Sequence, residues 1–255
     1  MIGYPDRSLD ELRAAVGSAE TLGHPFTLAQ TLCWAAVLHI FRHEPSAVAD
    51  YAERASRICK EHRIAEYHAY ALCVNGLALA ASGESEKGPI QVAQGVESYG
   101  LGNSLLVLLA LQADAQLAIG NPETALASGA AGLEAVERMG GGPLEAELHR
   151  LKGQALLAGD GPVSEAESAI RRGIKVACQQ NALSWELRAA TSLAQLWHQN
   201  GRTDKAEKLL SSVFNRFSEG FETADLMAAR ALTDTFRNSL SGDREPLRRT
   251  RRLAR

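Results

Sequence analysis

The segment ELRAATSLAQLWHQNGRTDKAEKLLSSVF, residues 186–214, contains two apolar stretches separated by a short polar turn. Alanine, leucine and tryptophan recur three or four residues apart in these stretches, which is the spacing of one face of an α-helix. Gly201 can end the first helix because glycine adopts the left-handed conformation without strain. Thr203 can cap the second helix with its hydroxyl group. The segment therefore predicts two antiparallel helices joined by a tight turn.

The same pattern recurs along the chain at nearly constant intervals. The first helix of each candidate pair begins near Pro25, Ile64, Asn103, Pro143 and Ala182, at intervals of 39, 39, 40 and 39 residues. The turns within the pairs are HEPS (43–46), GESE (83–86), GNPE (120–123), GDGPVSE (159–165) and GRTD (201–204). Stretches typical of β-strands are scarce. One unit repeated at this period predicts an all-α, right-handed superhelical solenoid of about five antiparallel helix pairs.

Small residues occupy one equivalent position in each predicted helix. They are Ala36, Gly76, Ala113, Gly153 and Ala194 in the first helices, and Ala49, Gly88, Ala125, Ala166 and Ala206 in the second helices. A missing side chain lets two helix backbones approach closely. These positions favour tetratricopeptide-like repeats. The period exceeds the usual value of about 34 residues and is close to that of armadillo and HEAT arrays, so the class of solenoid stays open.

The two ends of the array differ in the sequence. Segment 7–22 predicts one helix without a preceding partner, and segment 222–240 predicts a helix that caps the last pair. An uncapped N-terminal edge is consistent with a severed part of a longer protein or with a degenerate cap, and both alternatives stay open. We expect a helical repeat domain over residues 1–240 and a disordered, Arg-rich tail over residues 241–255.

The tail sequence REPLRRTRRLAR, residues 244–255, contains six arginines and one glutamate. Such a segment can bind an acidic partner, a nucleic acid or a membrane surface, but it is more often a solvated tail. It lacks the interleaved aromatic residues that stack on bases, so we expect no nucleic-acid partner.

Composition excludes several classes of protein. The N-terminus MIGYPDRSLDEL is not a secretory signal, because no basic patch precedes an apolar run. The most apolar stretch, residues 105–119, is too short and too polar to span a bilayer. Four scattered cysteines without CxxC spacing, Cys33, Cys59, Cys73 and Cys178, predict reduced, buried thiols. We therefore expect a cytoplasmic protein.

Two motifs carry a more specific resemblance. They are Glu147-Leu148-His149-Arg150 within EAELHRLKGQALL (145–157), and Phe217-Ser218-Glu219-Gly220-Phe221 leading to Asp225-Leu226. Both resemble the C-terminal repeat region of bacterial signalling proteins that carry a predicted NB-ARC-like ATPase domain and, in many cases, an adenylate/guanylate cyclase domain. The resemblance implies a sensor or docking role, with an ATPase or cyclase domain as a possible partner.

The sequence itself offers no clear catalytic chemistry. It contains no GxxxxGK[ST] phosphate loop and no GxSxG turn. His39 and His43 stand four residues apart and could share a helix face, but a metal site needs a third ligand. We expect no catalytic residue, cofactor or metal ion, and any cyclase or ATPase activity of the family would come from domains that this segment does not contain.

The predicted concave groove is the better candidate site. Projecting the first helices onto the inner surface gives nine candidate partner-binding residues: Gln30, Tyr70, Asp114, Glu147, Arg150, Gln154, Arg188, Gln195 and His198. The N-terminal half of this surface is apolar, which suits an amphipathic helix or an apolar peptide. The C-terminal half carries Arg150 and Arg188, which could bind a carboxylate or phosphate. Alternatively, Arg150 pairs with Glu147 or Glu186 along the surface, a contact that contributes little.

Three functional hypotheses follow from the sequence. The leading one is a protein-interaction scaffold that binds a peptide or partner domain in its groove, at the regulatory end of a signal-transduction system. The second is a domain that senses a small effector for a transcription or cyclase regulator. The third is an enzyme with the family's cyclase activity, for which the chain supplies no catalytic residues.

Overall fold

The computed structural model describes residues 3–81, 87–99 and 105–252, with the backbone alone described at Ala81, Tyr99 and 241–252. The predicted turn at 83–86, the predicted helix start at Asn103 and the last three residues of the tail lie outside the described residues. Within the described ranges the chain is all-helical and has no strand, as predicted.

Twelve helices account for most of the described chain. They are α1 (Pro5–Leu22), α2 (Pro25–Phe41), α3 (Pro45–Glu61), α4 (Ala65–Ala81), α5 (Lys87–Tyr99), α6 (Leu105–Ala118), α7 (Pro122–Met139), α8 (Glu145–Ala158), α9 (Val163–Gln179), α10 (Leu183–Gln199), α11 (Thr203–Phe214) and α12 (Ala224–Arg252). Among them, no helix combines the length and the apolar character that crossing a membrane requires.

The helices form five consecutive pairs, α2–α3, α4–α5, α6–α7, α8–α9 and α10–α11. The first helices start at residues 25, 65, 105, 145 and 183, at intervals of 40, 40, 40 and 38 residues. The first helix of each pair also contacts the first helix of the next pair. In the described parts of the chain, no such contact links the second helices of successive pairs. The first helices α2, α4, α6, α8 and α10 therefore form one continuous layer, and we call the side of the array on which they lie its inner side.

Paired helices approach most closely at the small residues. A Cβ atom added to Gly76 would lie 2.7 Å from the carbonyl oxygen of Gly88, and one added to Gly153 would lie 2.5 Å from Cγ1 of Ile170. In the first pair the equivalent position is Val48, which is buried, whereas the predicted Ala49 is only half-buried. The close approach in α8–α9 leaves no room for a side chain at residue 153.

Left-handed residues end most of the helices, but not always as predicted. Gly120 and Gly201 have φ values of 74° and 72° and end α6 and α10 as expected. At four other turns the left-handed residue is not a glycine but His43 (φ 58°), Arg63 (φ 57°), Asp160 (φ 55°) or Asn181 (φ 52°). Non-glycine residues are tolerated there because the turn needs only one left-handed position and the helix packing fixes it.

Among the described helices, α1 packs against α2 alone, as expected of a helix without a preceding partner, and its start is bound by the opposite end of the chain. The backbone N–H groups of Asp6 and Arg7 both donate to Oε1 of Glu219 at 3.0 Å, so a distant carboxylate caps the start of α1. The backbone N–H of Gly220 donates in return to Oδ2 of Asp6 at 2.9 Å. The segment between α11 and α12 therefore joins the two ends of the array.

The last helix and one cysteine also differ from expectation. The helical backbone of α12 continues to Arg252, so residue 240 is not a helix end and the segment predicted to be a disordered tail is helical through 252. All four cysteines are free, and three of them are buried as expected, but Cys178 is exposed. The helical period places Cys178 on the outer side of α9, away from its buried neighbour Ala177.

We predict that Gly153→Ala lowers the free energy of unfolding by about 1–3 kcal/mol, because the added methyl group would clash with Ile170. The matched control is Gly129→Ala in α7, where an added Cβ meets no atom within 4 Å. That change should raise stability by roughly 0.5–1 kcal/mol, since alanine favours helix more than glycine does. Urea denaturation measures both. Equal effects of the two substitutions would contradict the close packing of α8 on α9.

Candidate functional site

A cluster of charged side chains lies on the inner side of the array, and we call it the ionic cluster. Its members are Asp114 of α6, Glu147 and Arg150 of α8, Arg188 of α10, Asp225 of α12, and His43, which follows α2. Each first helix from α6 onward contributes at least one charge, because corresponding positions of successive repeats face the same side. The cluster thereby connects five separate parts of the chain.

Glu147 is the centre of the ionic cluster. Its side chain is only 2% exposed, and its two oxygens accept hydrogen bonds from Nε and Nη2 of Arg150 at 2.8 and 2.6 Å. Nε and Nη2 of Arg188 approach Oε1 of the same carboxylate at 3.1 and 2.9 Å. One buried carboxylate therefore binds guanidinium groups from two successive first helices.

The arginines extend the cluster towards solvent. Nη2 of Arg150 lies 3.3 Å from Oδ1 of Asp114, and Nη1 of Arg188 lies 3.4 Å from Oδ2 of Asp225. Nε2 of His43 lies 3.5 Å from Oδ1 of Asp225. The outer members come from the first repeat, the third repeat and the last helix, so the cluster bridges distant parts of the array.

Amide and hydroxyl groups complete the polar contacts of the cluster. Nη1 of Arg150 donates to Oε1 of Gln154. Nε2 of Gln154 donates to Oγ of Ser192 at 3.2 Å, and this hydroxyl donates to the backbone carbonyl of Arg188 at 3.1 Å. The guanidinium groups are therefore bound within the chain on several sides.

The pKa values of the carboxyl groups reflect this environment. Burial would raise the pKa of Glu147, but the charges and hydrogen bonds of Arg150 and Arg188 outweigh it, and the pKa lies below its ordinary value. Burial also acts to raise the pKa of Asp225, and the charge of Arg188 with the contact of His43 brings it below its ordinary value. Both carboxyl groups are therefore ionised at neutral pH.

The contact between Arg150 and Glu147 is not the weak surface pair that the sequence allowed as an alternative. Both side chains are buried, at 6% and 2% exposure. The other proposed partner, Glu186, instead pairs with Arg216 at 2.5 Å. Because the donors of both arginines are engaged by side chains of the chain itself, this geometry does not leave the two guanidinium groups ready to bind an anion.

An apolar cavity of about 610 Å³ lies beside the ionic cluster. Its lining comes from the C-terminal half of α2 and the beginnings of α6, α8 and α10: Trp34, Val37, Leu38, Phe41, Val107, Pro143, Leu144, Gln180, Ala182 and Trp185. Gln180 is the single polar member of this lining, and its amide donates to the carbonyl oxygen of Gly142 at 2.9 Å. The cavity wall therefore offers mainly apolar surface to a ligand.

A pair of aromatic rings separates the apolar cavity from the ionic cluster. The rings of Phe41 and Trp185 meet edge to face with centroids 4.8 Å apart. The guanidinium carbon of Arg188 lies 5.9 Å from each ring centroid. Arg188 thus contacts the aromatic wall on one side and carboxylates on the other, and it couples the two compartments.

The structure brings together six of the nine predicted site residues. Asp114, Glu147, Arg150, Gln154 and Arg188 form hydrogen bonds or ion pairs in or beside the ionic cluster, and Gln195 lines the cleft next to it. The apolar and the polar compartments each draw residues from both halves of the chain, since Trp185 lines the apolar cavity and His43 belongs to the ionic cluster.

The other three predicted residues lie elsewhere. Gln30 donates to the hydroxyl of Tyr67 at 2.5 Å, and Tyr70 is buried, with its ring 6.0 Å from that of Trp34. Nδ1 of His198 contacts Oγ1 of Thr203 at 3.0 Å. Tyr70 therefore belongs to the core rather than to an open groove, because the adjacent helices pack over it.

Sequence reasoning missed two members of the cluster, His43 and Asp225. Asp225 stands in one of the motifs that carried the family resemblance, but no spacing rule placed it beside Arg188. His43 was weighed only as a metal ligand with His39, whereas Nδ1 of His39 contacts Oε2 of Glu44 at 2.5 Å. In the described parts of the chain no group of three or more His, Cys, Asp or Glu side chains could hold a metal ion.

Comparison with known proteins adds no family assignment. The chain matches no protein-family model, and a search of the curated proteins also finds no match.

We predict that Glu147→Gln lowers the free energy of unfolding by about 3–5 kcal/mol, because it leaves two buried guanidinium groups without their shared counter-charge. The matched control is Glu134→Gln on the exposed surface of α7, which should change stability by less than about 0.5 kcal/mol. Chemical denaturation at neutral pH measures both. Similar small effects would contradict a central role of Glu147.

The stability difference between the wild type and Glu147→Gln should also depend on pH. The pKa of Glu147 in the folded state lies below its ordinary value of 4.5, so its contribution to stability is fully present above pH 4.5 and declines as the pH falls further. The stability difference between the wild type and Glu147→Gln should therefore be constant near neutral pH and narrow in acid. A difference that widens as the pH falls from neutral towards 4.5 would show that the folded pKa is raised.

Proposed function

We propose that this chain is a helical-repeat interaction module that binds an apolar or amphipathic segment of another protein on the inner side of its array. The observation that carries this proposal is the apolar cavity at the junction of α2, α6, α8 and α10. Apolar concavities lined by aromatic side chains are the usual receptors for amphipathic helices. In this proposal the array is a right-handed superhelix of tetratricopeptide type, consistent with the small residues in its paired helices.

Trp34 supports this function. It lines the cavity, yet it is 42% exposed, an unusually large exposed fraction for a tryptophan on the side of α2 that faces the other first helices. Tryptophan is enriched among the residues that contribute most to protein–protein binding, because it buries a large area with little loss of conformational freedom. A partner residue entering the cavity would cover Trp34.

The resemblance to repeat regions of bacterial signalling proteins suggests where such a module acts. We propose that it is the regulatory or sensor part of a signal-transduction system, with an ATPase or cyclase domain among its possible partners. A cytoplasmic location fits this role, because the four free thiols would stay reduced there.

Tryptophan fluorescence tests the proposal directly. The chain has three tryptophans, of which Trp34 and Trp185 line the cavity, so a Trp197→Phe background confines the signal to the site. The probe is a synthetic amphipathic helix of about 18 residues, or five turns, with leucine on one face and glutamine on the other. We expect a saturable change in emission, and its absence would count against the proposal.

The affinity of the same peptide, carrying a fluorescent label, tests the role of Trp34. Trp34→Ala should weaken binding by about tenfold or more, as expected for an interface tryptophan. The matched control is Phe221→Ala, which removes an aromatic side chain of similar exposure that does not line the cavity. Equal affinities of the two variants would contradict peptide binding at the cavity.

A second candidate function is the sensing of a small apolar effector. The volume of the cavity, about 610 Å³, supports it, because it falls within the range of small-ligand sites. Such an effector should raise the melting temperature in a screen of metabolites, through preferential binding to the folded state. A flat result across the screen would argue against this function.

We propose no catalytic role for this chain. The ionic cluster holds its arginines and carboxylates in mutual contacts, and we assign no reacting group to it. Incubation of the purified chain with ATP should give no cyclic nucleotide and no ADP, and detectable turnover of ATP would overturn this part of the proposal.

A further inference from the structure

Three adjoining clefts lie on the inner side of the array, separated from the apolar cavity by the rings of Phe41 and Trp185. Together we call these clefts the trough. Their volumes are about 410, 540 and 240 Å³, and Asp114 lines all three. Much of the floor is apolar, with Leu77, Ala78 and Ala115 at one end and Leu117 and Leu157 at the other. The trough therefore continues the inner surface beyond the apolar cavity.

The ionic cluster lies in the middle of the trough, and its charges are arranged by depth. Arg150 and Arg188 are at the back, with side chains only 6% and 8% exposed. Asp114 and Asp225 are nearer solvent, at 42% and 28% exposure. The carboxylates of Asp114 and Asp225 are therefore more accessible to an incoming partner than the two guanidinium groups, and the His43 side chain beside Asp225 is 49% exposed.

The formal charges of the carboxylates and guanidinium groups in the ionic cluster also sum to a negative value. Three carboxylates, Asp114, Glu147 and Asp225, face two guanidinium groups, which leaves an excess of one negative charge while the imidazole of His43 is neutral. Glu44 also lines the N-terminal end, but its carboxylate pairs with Nε of Arg42 at 2.9 Å and adds no net charge.

The helix ends strengthen this potential. The trough is lined by residues at or near the C-terminal ends of α6, α8 and α10, namely Ala118, Ala158 and Gln199. The C-terminal end of an α-helix carries a partial negative charge, which favours cations nearby. The C-terminal ends of three helices therefore all favour a cation at the surface of the trough.

We propose that the partner segment bound on the inner side is a basic amphipathic helix, with apolar side chains on the trough floor and a lysine or arginine beside Asp114 and Asp225. This inference rests on the proposed interaction function and specifies the chemistry of the partner. Complementary charge adds orientation and specificity to a contact whose affinity comes mainly from apolar burial.

The experiment compares three synthetic helices of about 18 residues that share one leucine face and carry lysine, glutamine or glutamate on the other. Fluorescence anisotropy of each labelled peptide is measured against the full chain. We expect the lysine peptide to bind more tightly than the glutamine peptide and the glutamate peptide to bind most weakly, with the difference shrinking as salt rises.

Two pairs of variants separate the trough from the general charge of the protein. Gln195→Lys adds a positive charge in the trough, and Gln179→Lys adds the same charge on the exposed outer side of α9. We expect Gln195→Lys to weaken binding of the lysine peptide by about three- to fivefold, with little effect of the control. Asp114→Asn should weaken binding similarly, whereas Asp204→Asn, which removes an exposed carboxylate from α11, should not.

The outcomes distinguish the two levels of the proposal. Equal binding of the three peptides, or equal effects of Gln195→Lys and Gln179→Lys, would overturn the basic partner and leave the interaction module intact. Failure of all three peptides to bind would overturn both. Circular dichroism checks that Gln195→Lys is folded. We expect it to fold, because residue 195 is exposed on α10.

Discussion

The contact on which the inner side of this protein depends is the buried carboxylate of Glu147 between the guanidinium groups of Arg150 and Arg188. A lone charge at this depth would be strongly unfavourable, so each group is stable there only because the others are present. Glu147 thereby holds α8 against α10. Arg188 also contacts Asp225 of α12 and His43 after α2, so these parts of the chain are bound to the same cluster.

This constraint divides the inner surface into two compartments of different chemistry. Arg188 packs against Phe41 and Trp185, which close the apolar cavity on one side. On the other side the same arginine is matched by carboxylates, so the trough presents oxygen atoms to solvent. A single partner helix with an apolar face and a basic face would match both compartments.

The sequence predicted the helix pairs well, because their determinants are local. Small residues such as Gly153 and turn residues such as Gly201 act within one repeat, and their spacing is visible along the chain. The sequence placed Asp114, Glu147, Arg150 and Arg188 on one surface, but among the contacts of the ionic cluster it suggested only the pair within helix α8, Glu147 with Arg150. Contacts of His43 with Asp225 depend on small rotations accumulated over all the repeats, which no local pattern specifies.

Titration of the Glu147 carboxyl group by carbon-13 NMR tests the central claim most directly. Burial alone would raise the pKa of this group, whereas the charges and hydrogen bonds of Arg150 and Arg188 bring it below 4.5. We predict a titration midpoint below pH 4.5. A carboxyl group that takes up its proton at or above pH 4.5 would show that Glu147 does not bind the two arginines, and would contradict the account.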